Sequence, residues 1–337
     1  MAADDIIAFI DAHRDARVAL VSHARPDGDA LGSSVGLACA LRHLGRRAWV
    51  VNPLPLPGYL DFLADPDLVV HHEEADWWRG YDVLGVLDCG EEGRLDETNR
   101  LALGRLPTFN IDHHATSAGV GEAIWIEPHA SSTGEMIVRL CREAGWQMTP
   151  EGATALWTAI VTDTGRFSYE NATAAALEAA RECILAGADP VKAATELYQS
   201  VTWPERQLQT LVLQRMQMLE NGRLAVSWLG RDDFRRIGIG AEGADNVINL
   251  LRDTAGVEVA IFFYEPSGDR AGGSVKASFR TRSPHDALKI VCRFGGGGHT
   301  RAAGCTVAGT IEEVMKKVIG AARESFFQAG KTPSSSV

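Results

Sequence analysis

No run of apolar residues in this 337-residue chain reaches membrane-spanning length, so the sequence predicts a soluble protein. The opening Met1-Ala-Ala-Asp-Asp5 is acidic where a signal or transit segment would be basic, which points to the cytoplasm. Cysteine is sparse and scattered. Cys39, Cys89, Cys141, Cys183, Cys292 and Cys305 form no Cys-x-x-Cys pair, which excludes a disulfide framework or a zinc–thiolate site and suits a reducing compartment. Basic charge is also in short supply. Lys and Arg number 33 against 44 Asp and Glu, and a net charge of −11 excludes a protein that tracks along a long polyanion by general electrostatics. A nucleotide substrate would therefore be short and held locally. Low-complexity composition is absent, and the length exceeds one ordinary core and predicts two domains.

What is present begins with Val18–Ser33, an apolar run that ends abruptly in His23, Asp27 and Asp29. The run reads as a buried strand with its polar loop at the carboxyl end, where open α/β sheets place their ligands. Two carboxylates and an imidazole so close together call for a counter-charge, and a divalent cation supplies one. The aspartates also suit a plainer role as caps of a helix beginning near Leu31. The pattern then recurs. A strand over Val83–Leu87 ends at Asp88, and another over Thr108–Ile111 ends at Asp112, His113 and His114. Asp163 shares a helical face with Leu156, Ala159 and Ile160, which puts a carboxylate on a core-facing stripe; metal coordination, or an ion pair with Arg166, would remove the penalty. Ser132-x-x-Glu135 reads as a capping box, and His71-His-Glu-Glu74 as a solvated surface segment.

Asp27, Asp29, Asp88 and Asp163 bring four negative charges, which two divalent cations balance with His23 and His113 as neutral ligands. Such ions sit about 3.5 to 4 Å apart and polarise a phosphoryl oxygen, so one carboxylate must bridge them. Imidazole among oxygen ligands favours manganese. Helical sequence over 190–221, with a hinge at Pro204, reads as a linker between a first domain (1–189) and a smaller second α/β domain (222–327), followed by a disordered tail (328–337). In the second domain four glycines, Gly295 to Gly298, precede His299 and Arg301, and Arg280, Arg282, Lys289, Arg293 and Arg301 face the single acid Asp286. That local inversion of charge marks a phosphate site and predicts an active site in an interdomain cleft.

Ser22-His-Ala-Arg-Pro-Asp-Gly-Asp29, Leu87-Asp-Cys-Gly90, Ile111-Asp-His-His114 and Val161-Thr-Asp-Thr-Gly165 resemble the four ordered motifs of the DHH phosphoesterase superfamily. Gly295-Gly-Gly-Gly-His-Thr-Arg-Ala-Ala-Gly304 resembles the signature of the DHH-associated C-terminal domain. By order and length the chain is most similar to the bacterial nanoRNase/pAp phosphatase group. The resemblance implies an α/β fold with an N-terminal parallel sheet, and hydrolysis of very short oligoribonucleotides and of 3′-phosphoadenosine 5′-phosphate. It implies that His23, Asp27 and Asp88 hold one metal and Asp29, His113 and Asp163 the other, with Asp88 bridging. Asp112 would orient the histidine pair, His114 would contact the scissile phosphate and assist the leaving oxygen, and Arg280, Gly296, Gly297, Gly298, His299 and Arg301 would bind the far end of the substrate. The implied cofactors are two Mn2+, replaceable by Mg2+ or Co2+. The implied partners are short single-stranded RNA or a nucleotide, and a second copy in a homodimer, with no long nucleic acid and no membrane. Rival readings are a hydrolase of linear dinucleotides from cyclic dinucleotide turnover, a manganese pyrophosphatase or polyphosphatase, a RecJ-type exonuclease and a non-catalytic nucleotide sensor.

Overall fold

The computed structural model describes residues 2–327 apart from 53–55, 73, 245–246, 267–272 and 299. The expected tail over 328–337 and the expected substrate-binding residue His299 thus lie outside the described residues. The chain divides into two compact units, Met1–Ser200 and Val201–Val337. Among the described residues no helix is long and apolar enough to cross a membrane.

The first unit runs α1 (Ala2–Ala12), β1 (Arg17–Val21), α2 (Gly28–His43), β2 (Arg47–Val51), β3 (Val69–Val70), β4 (Val83–Leu87), α3 (Glu97–Arg100), β5 (Thr108–Asp112) and β6 (Ala123–Ile126). Four helices follow: α4 (Thr133–Ala144), α5 (Pro150–Asp163), α6 (Ala174–Leu185) and α7 (Pro190–Ala194), the last continuing into a π-helical turn over Thr195–Gln199. The sheet order is β3-β2-β1-β4-β5-β6, parallel at every pairing. Strands buried on both faces read as unbroken apolar runs, and Val83–Leu87 is buried at every position. Strand order reverses between β1 and β4, and the crevice outside the carboxyl ends at such a reversal is where a doubly wound sheet binds ligands.

One crossing on this sheet is unusually close. Gly28, Gly32 and Gly36 recur every fourth residue along α2, so they share a face, and that face meets α5. A Cβ on Gly32 would stand 2.4 Å from the Ala155 carbonyl oxygen, and one on Gly28 2.4 Å from Thr162 Oγ1. Only glycine lets the two backbones approach this far.

The second unit comprises α8 (Trp203–Gln214), β7 (Gln217–Leu219), β8 (Leu224–Leu229), α9 (Arg231–Ile237), α10 (Ile248–Arg252), β9 (Val259–Tyr264) and β10 (Ser274–Thr281). It closes with α11 (Leu288–Val291), β11 (Gly297–Gly298), β12 (Ala302–Ala308) and α12 (Ile311–Phe326). The sheet order is β11-β12-β10-β9-β8-β7, with β8 and β9 parallel and the other pairs antiparallel. The segment expected as a linker is divided: α7 packs on α5, whereas Leu208 and Val212 of α8 are buried with Ala225, Leu229 and Phe234. Pro204 lies in the first turn of α8, capped by Thr202, where a proline's missing N–H costs nothing. α11 runs directly into one 3-10 turn over Cys292–Phe294.

Candidate metal centre

The expected ligands reach the carboxyl edge of the first sheet from five elements. His23 follows β1, Asp27 and Asp29 open α2, Asp88 follows β4, His113 and His114 follow β5, and Asp163 is the last residue of α5. His23, Asp27 and Asp88 bring donor atoms within 4.8 Å of one another; so do Asp29, His113 and Asp163, and so do Asp88, His113 and His114. The two sets drawn from the sequence are thus assembled, and the third shows His114 crowding the same carboxylate.

Asp27 fills its plainer role as well, accepting hydrogen bonds from the N–H groups of Asp29 and Ala30 at the start of α2. Asp29 does not cap its own helix. Its Oδ2 accepts from the Thr133 N–H at 2.7 Å and its Oδ1 from the Gly134 N–H at 2.9 Å, so the amino end of α4 holds it. Asp88 has a left-handed backbone, φ 55°, and its oxygens point two ways: Oδ2 lies 3.5 Å from His23 Nε2, and Oδ1 3.5 Å from His113 Nε2 and 3.6 Å from His114 Nδ1. The buried Asn110 shapes this turn, donating through Nδ2 to the Val86 and Cys89 carbonyls while its Oδ1 accepts from the Val120 N–H.

The histidines are oriented by their other ring nitrogen. His113 donates through Nδ1 to the Ala130 carbonyl, which turns Nε2 toward Asp29, Asp88 and Asp163 at 3.6, 3.5 and 3.7 Å. His114 Nδ1 lies 2.6 Å from Asp112 Oδ1, which also accepts the His114 N–H. Asp112 is wholly buried, and its Oδ2 has no hydrogen-bond partner.

Charge in this cluster is unresolved by protein groups alone. Burial, then the charges of Asp88, Asp163 and Asp27, pushes Asp29 well above the carboxylate range. Burial likewise pushes Asp163 up to about 7, with Asp27 and Asp88 adding to it. Burial works to raise Asp88 too, but the close approach of the His23 imidazole and the charges of His114, His113 and His23 hold it below its ordinary value. Separations of 3.5 to 3.7 Å are too long for hydrogen bonds. They suit ligand atoms around one cation, which bonds of about 2.1 Å hold about 3 to 4 Å apart. Buried carboxylates gathered with imidazole nitrogens turned inward fit a divalent transition metal, whose charge offsets theirs.

The remaining sequence expectations are placed as follows. Arg166 makes no ion pair with Asp163 among the described residues; its guanidinium lies 5.0 Å above the Tyr198 ring. Ser132 Oγ caps the Glu135 N–H, but Glu135 returns its hydrogen bond to the Ser131 N–H, one residue earlier than a capping box requires. His72 is half-buried rather than solvated, with Nε2 3.0 Å from the Tyr81 hydroxyl and its ring stacked on Trp77. In the second unit, Arg280 on β10 is paired in register with Ala302, which brings Arg280 and Arg301 to one end of the sheet beside β11. Gly297 and Gly298 are strand residues, and a Cβ on Gly296 or Gly298 would meet the Gly304 or Ala302 carbonyl oxygen at 2.3 or 2.6 Å. Close strand approach therefore accounts for these two glycines. Reading the sequence missed Thr133 and Asn110; Asn110 left one trace, a polar residue inside an apolar strand.

Residues 17–162 match the DHH family N-terminal domain and residues 221–326 the DHHA1 domain. The chain is similar to the bifunctional oligoribonuclease and PAP phosphatase NrnA of Thermus thermophilus, 33% identical over 316 residues that cover 92% of this chain and 90% of that one. Among solved structures it resembles an exopolyphosphatase-related protein from Bacteroides fragilis, with a TM-score of 0.87, 24% identity and 96% of each chain covered. It also resembles RecJ from Thermus thermophilus in complex with Mn2+, with a TM-score of 0.55 and 13% identity over 96% of this chain and 54% of that one. At these identities both structures bear on the fold.

Proposed function

The chain belongs to the DHH family and is a phosphoesterase of it, and from that premise we propose a two-metal hydrolase that shortens very small oligoribonucleotides to mononucleotides and converts 3′-phosphoadenosine 5′-phosphate to AMP. The observation that carries the reading is Asp88, whose two oxygens face different imidazoles and so join two donor groups through one carboxylate. In this reading His23, Asp27 and Asp88 hold one Mn2+, and Asp29, His113 and Asp163 hold the other. Such ions polarise a phosphoryl oxygen and stabilise charge on the entering and leaving oxygens of an in-line displacement.

The chain's own groups do the rest. His114, held by Asp112 through Nδ1, keeps one tautomer and contacts the scissile phosphate, assisting the leaving oxygen. Arg280 and Arg301, with Gly296, Gly297, Gly298 and His299, bind the substrate's remote charge. The similarity to a bifunctional oligoribonuclease and PAP phosphatase supports the substrate class. The acidic balance supports the short length.

The test is a Mn2+-dependent hydrolysis panel on the purified protein: a 5′-phosphorylated diribonucleotide, a long RNA, 3′-phosphoadenosine 5′-phosphate and inorganic pyrophosphate. Preference for the diribonucleotide and the bisphosphorylated nucleoside is expected. Preference for pyrophosphate keeps the metal centre and overturns the substrate.

A further inference from the structure

Thr133 is wholly buried and touches the candidate centre twice. Its backbone N–H donates to Asp29 Oδ2, and its hydroxyl donates to Asp88 Oδ1 at 3.1 Å, across 45 residues of sequence. The hydroxyl has no capping duty, because Ser132 Oγ already receives the Glu135 N–H at the start of α4. An aspartate carboxylate turns easily about its last bond, where the torsional preference is broad. The backbone of Asp88 fixes where the carboxylate sits but not the rotation of its plane, which decides whether one oxygen faces each side. We infer that Thr133 is a positioning residue of the metal centre: its hydroxyl pins Oδ1 of Asp88 on the side of His113 and His114 and leaves Oδ2 on the side of His23, so that one oxygen serves each donor group.

This rests on the reading of Asp88 as a ligand shared by two ions. The adjoining N–H contacts to Asp29 come from the main chain of Thr133 and Gly134, so a side-chain substitution removes the Asp88 contact and leaves the Asp29 cradle in place. A threonine that merely fills the core would tolerate valine, which has nearly its shape. One that orients a carboxylate would not, and serine would replace it.

The experiment titrates Mn2+ into metal-free wild type, Thr133→Ser and Thr133→Val, reading the heat of binding and the rise in melting temperature, and then measures kcat and KM on the diribonucleotide. Thr133→Ser should bind as wild type does. Thr133→Val should need roughly 10- to 100-fold more Mn2+, the loss usual when a group holding a ligand is removed. At saturating Mn2+ its KM should be unchanged and its kcat lowered. Should the valine chain fail to fold, judged by melting without metal, Thr133→Ala repeats the measurement. Wild-type Mn2+ affinity in a folded variant that lacks the hydroxyl overturns the inference. A wild type that binds no Mn2+ overturns the centre and this inference together. A wild type that binds Mn2+ but leaves the diribonucleotide intact overturns only the substrate, and the binding data then decide on Thr133.

Discussion

Asp29 and Asp163 are carboxylates that hold their protons more tightly than exposed ones do, while Asp88 between them gives its proton up readily. A protein core seldom keeps such a mixture, because an uncompensated buried charge costs several kcal/mol. In the proposed reading, a cation shared through Asp88 removes the conflict. Asp88→Asn should therefore abolish metal-dependent turnover, by more than the roughly 100-fold that loss of an outer partner costs, and should weaken Mn2+ binding in calorimetry. Turnover close to wild type would sink the shared-ligand reading. A second residue-scale pair lies away from the centre. Arg17 at the start of β1 donates from Nε, Nη2 and its backbone N–H to Asp82, just before β4, and these hydrogen bonds hold the Asp82 carboxyl down at about 2. A depressed folded-state value stabilises the fold above the unfolded value of 3.8 and loses that contribution as pH falls through about 2. Asp82 is nearly half exposed, so the effect is small. Urea unfolding should show Asp82→Asn less stable than wild type above pH 4, with the two curves converging between pH 4 and pH 2.

Helix α2 carries two of the candidate ligands and α5 a third, and the glycine face of α2 sets the distance between them. Alanine in a helix interior ordinarily gains about 1 kcal/mol over glycine. At Gly32 the added Cβ meets the backbone of α5, so Gly32→Ala should instead destabilise by about 1 to 3 kcal/mol, seen as a lower urea midpoint at an unchanged slope. A raised midpoint would mean that the crossing yields. The same elements show what sequence could reveal. The strands that carry ligands were legible because burial on both faces makes them continuous apolar runs that stop at a polar residue. β3 and β6 were not, being two and four residues long. α12 does carry a signature, Thr310-x-x-Glu313 ahead of Val314, Val318, Ile319 and Ala322, which a motif-led reading passes over. In β12 small residues and Gly304 blur the alternation that marks a strand. The metal-ligating types could be read from strand ends. Thr133 could not, because its hydrogen bond to Asp88 depends on where the start of α4 meets the turn after β4, and locally it looks like one more residue in a cap.

Across the whole molecule the chemistry divides by unit. The candidate metal ligands all precede Thr164, and Arg280 and Arg301 stand together in the second unit, inside a chain of net charge −11. Arg301→Ala should therefore raise KM for the diribonucleotide by roughly tenfold or more, the worth of a charge-assisted hydrogen bond, while kcat and Mn2+ affinity stay near wild type. A fall in kcat alone would place Arg301 at the reacting phosphate.

The bare crossing of α2 and α5 also bears on which cations fit. Helices that touch through glycine have no side-chain padding to compress or extend, so the gap between Asp29 and Asp163 works like the jaws of a preset caliper. Calcium, whose oxygen ligands stand at about 2.3 to 2.6 Å, asks the jaws to open; magnesium and manganese, at nearer 2.1 Å, do not. If Asp29 and Asp163 hold the ion as proposed, selection by ionic radius is a property of the joint behind the ligands, and a chain that loosened the joint would lose it with every ligand still in place.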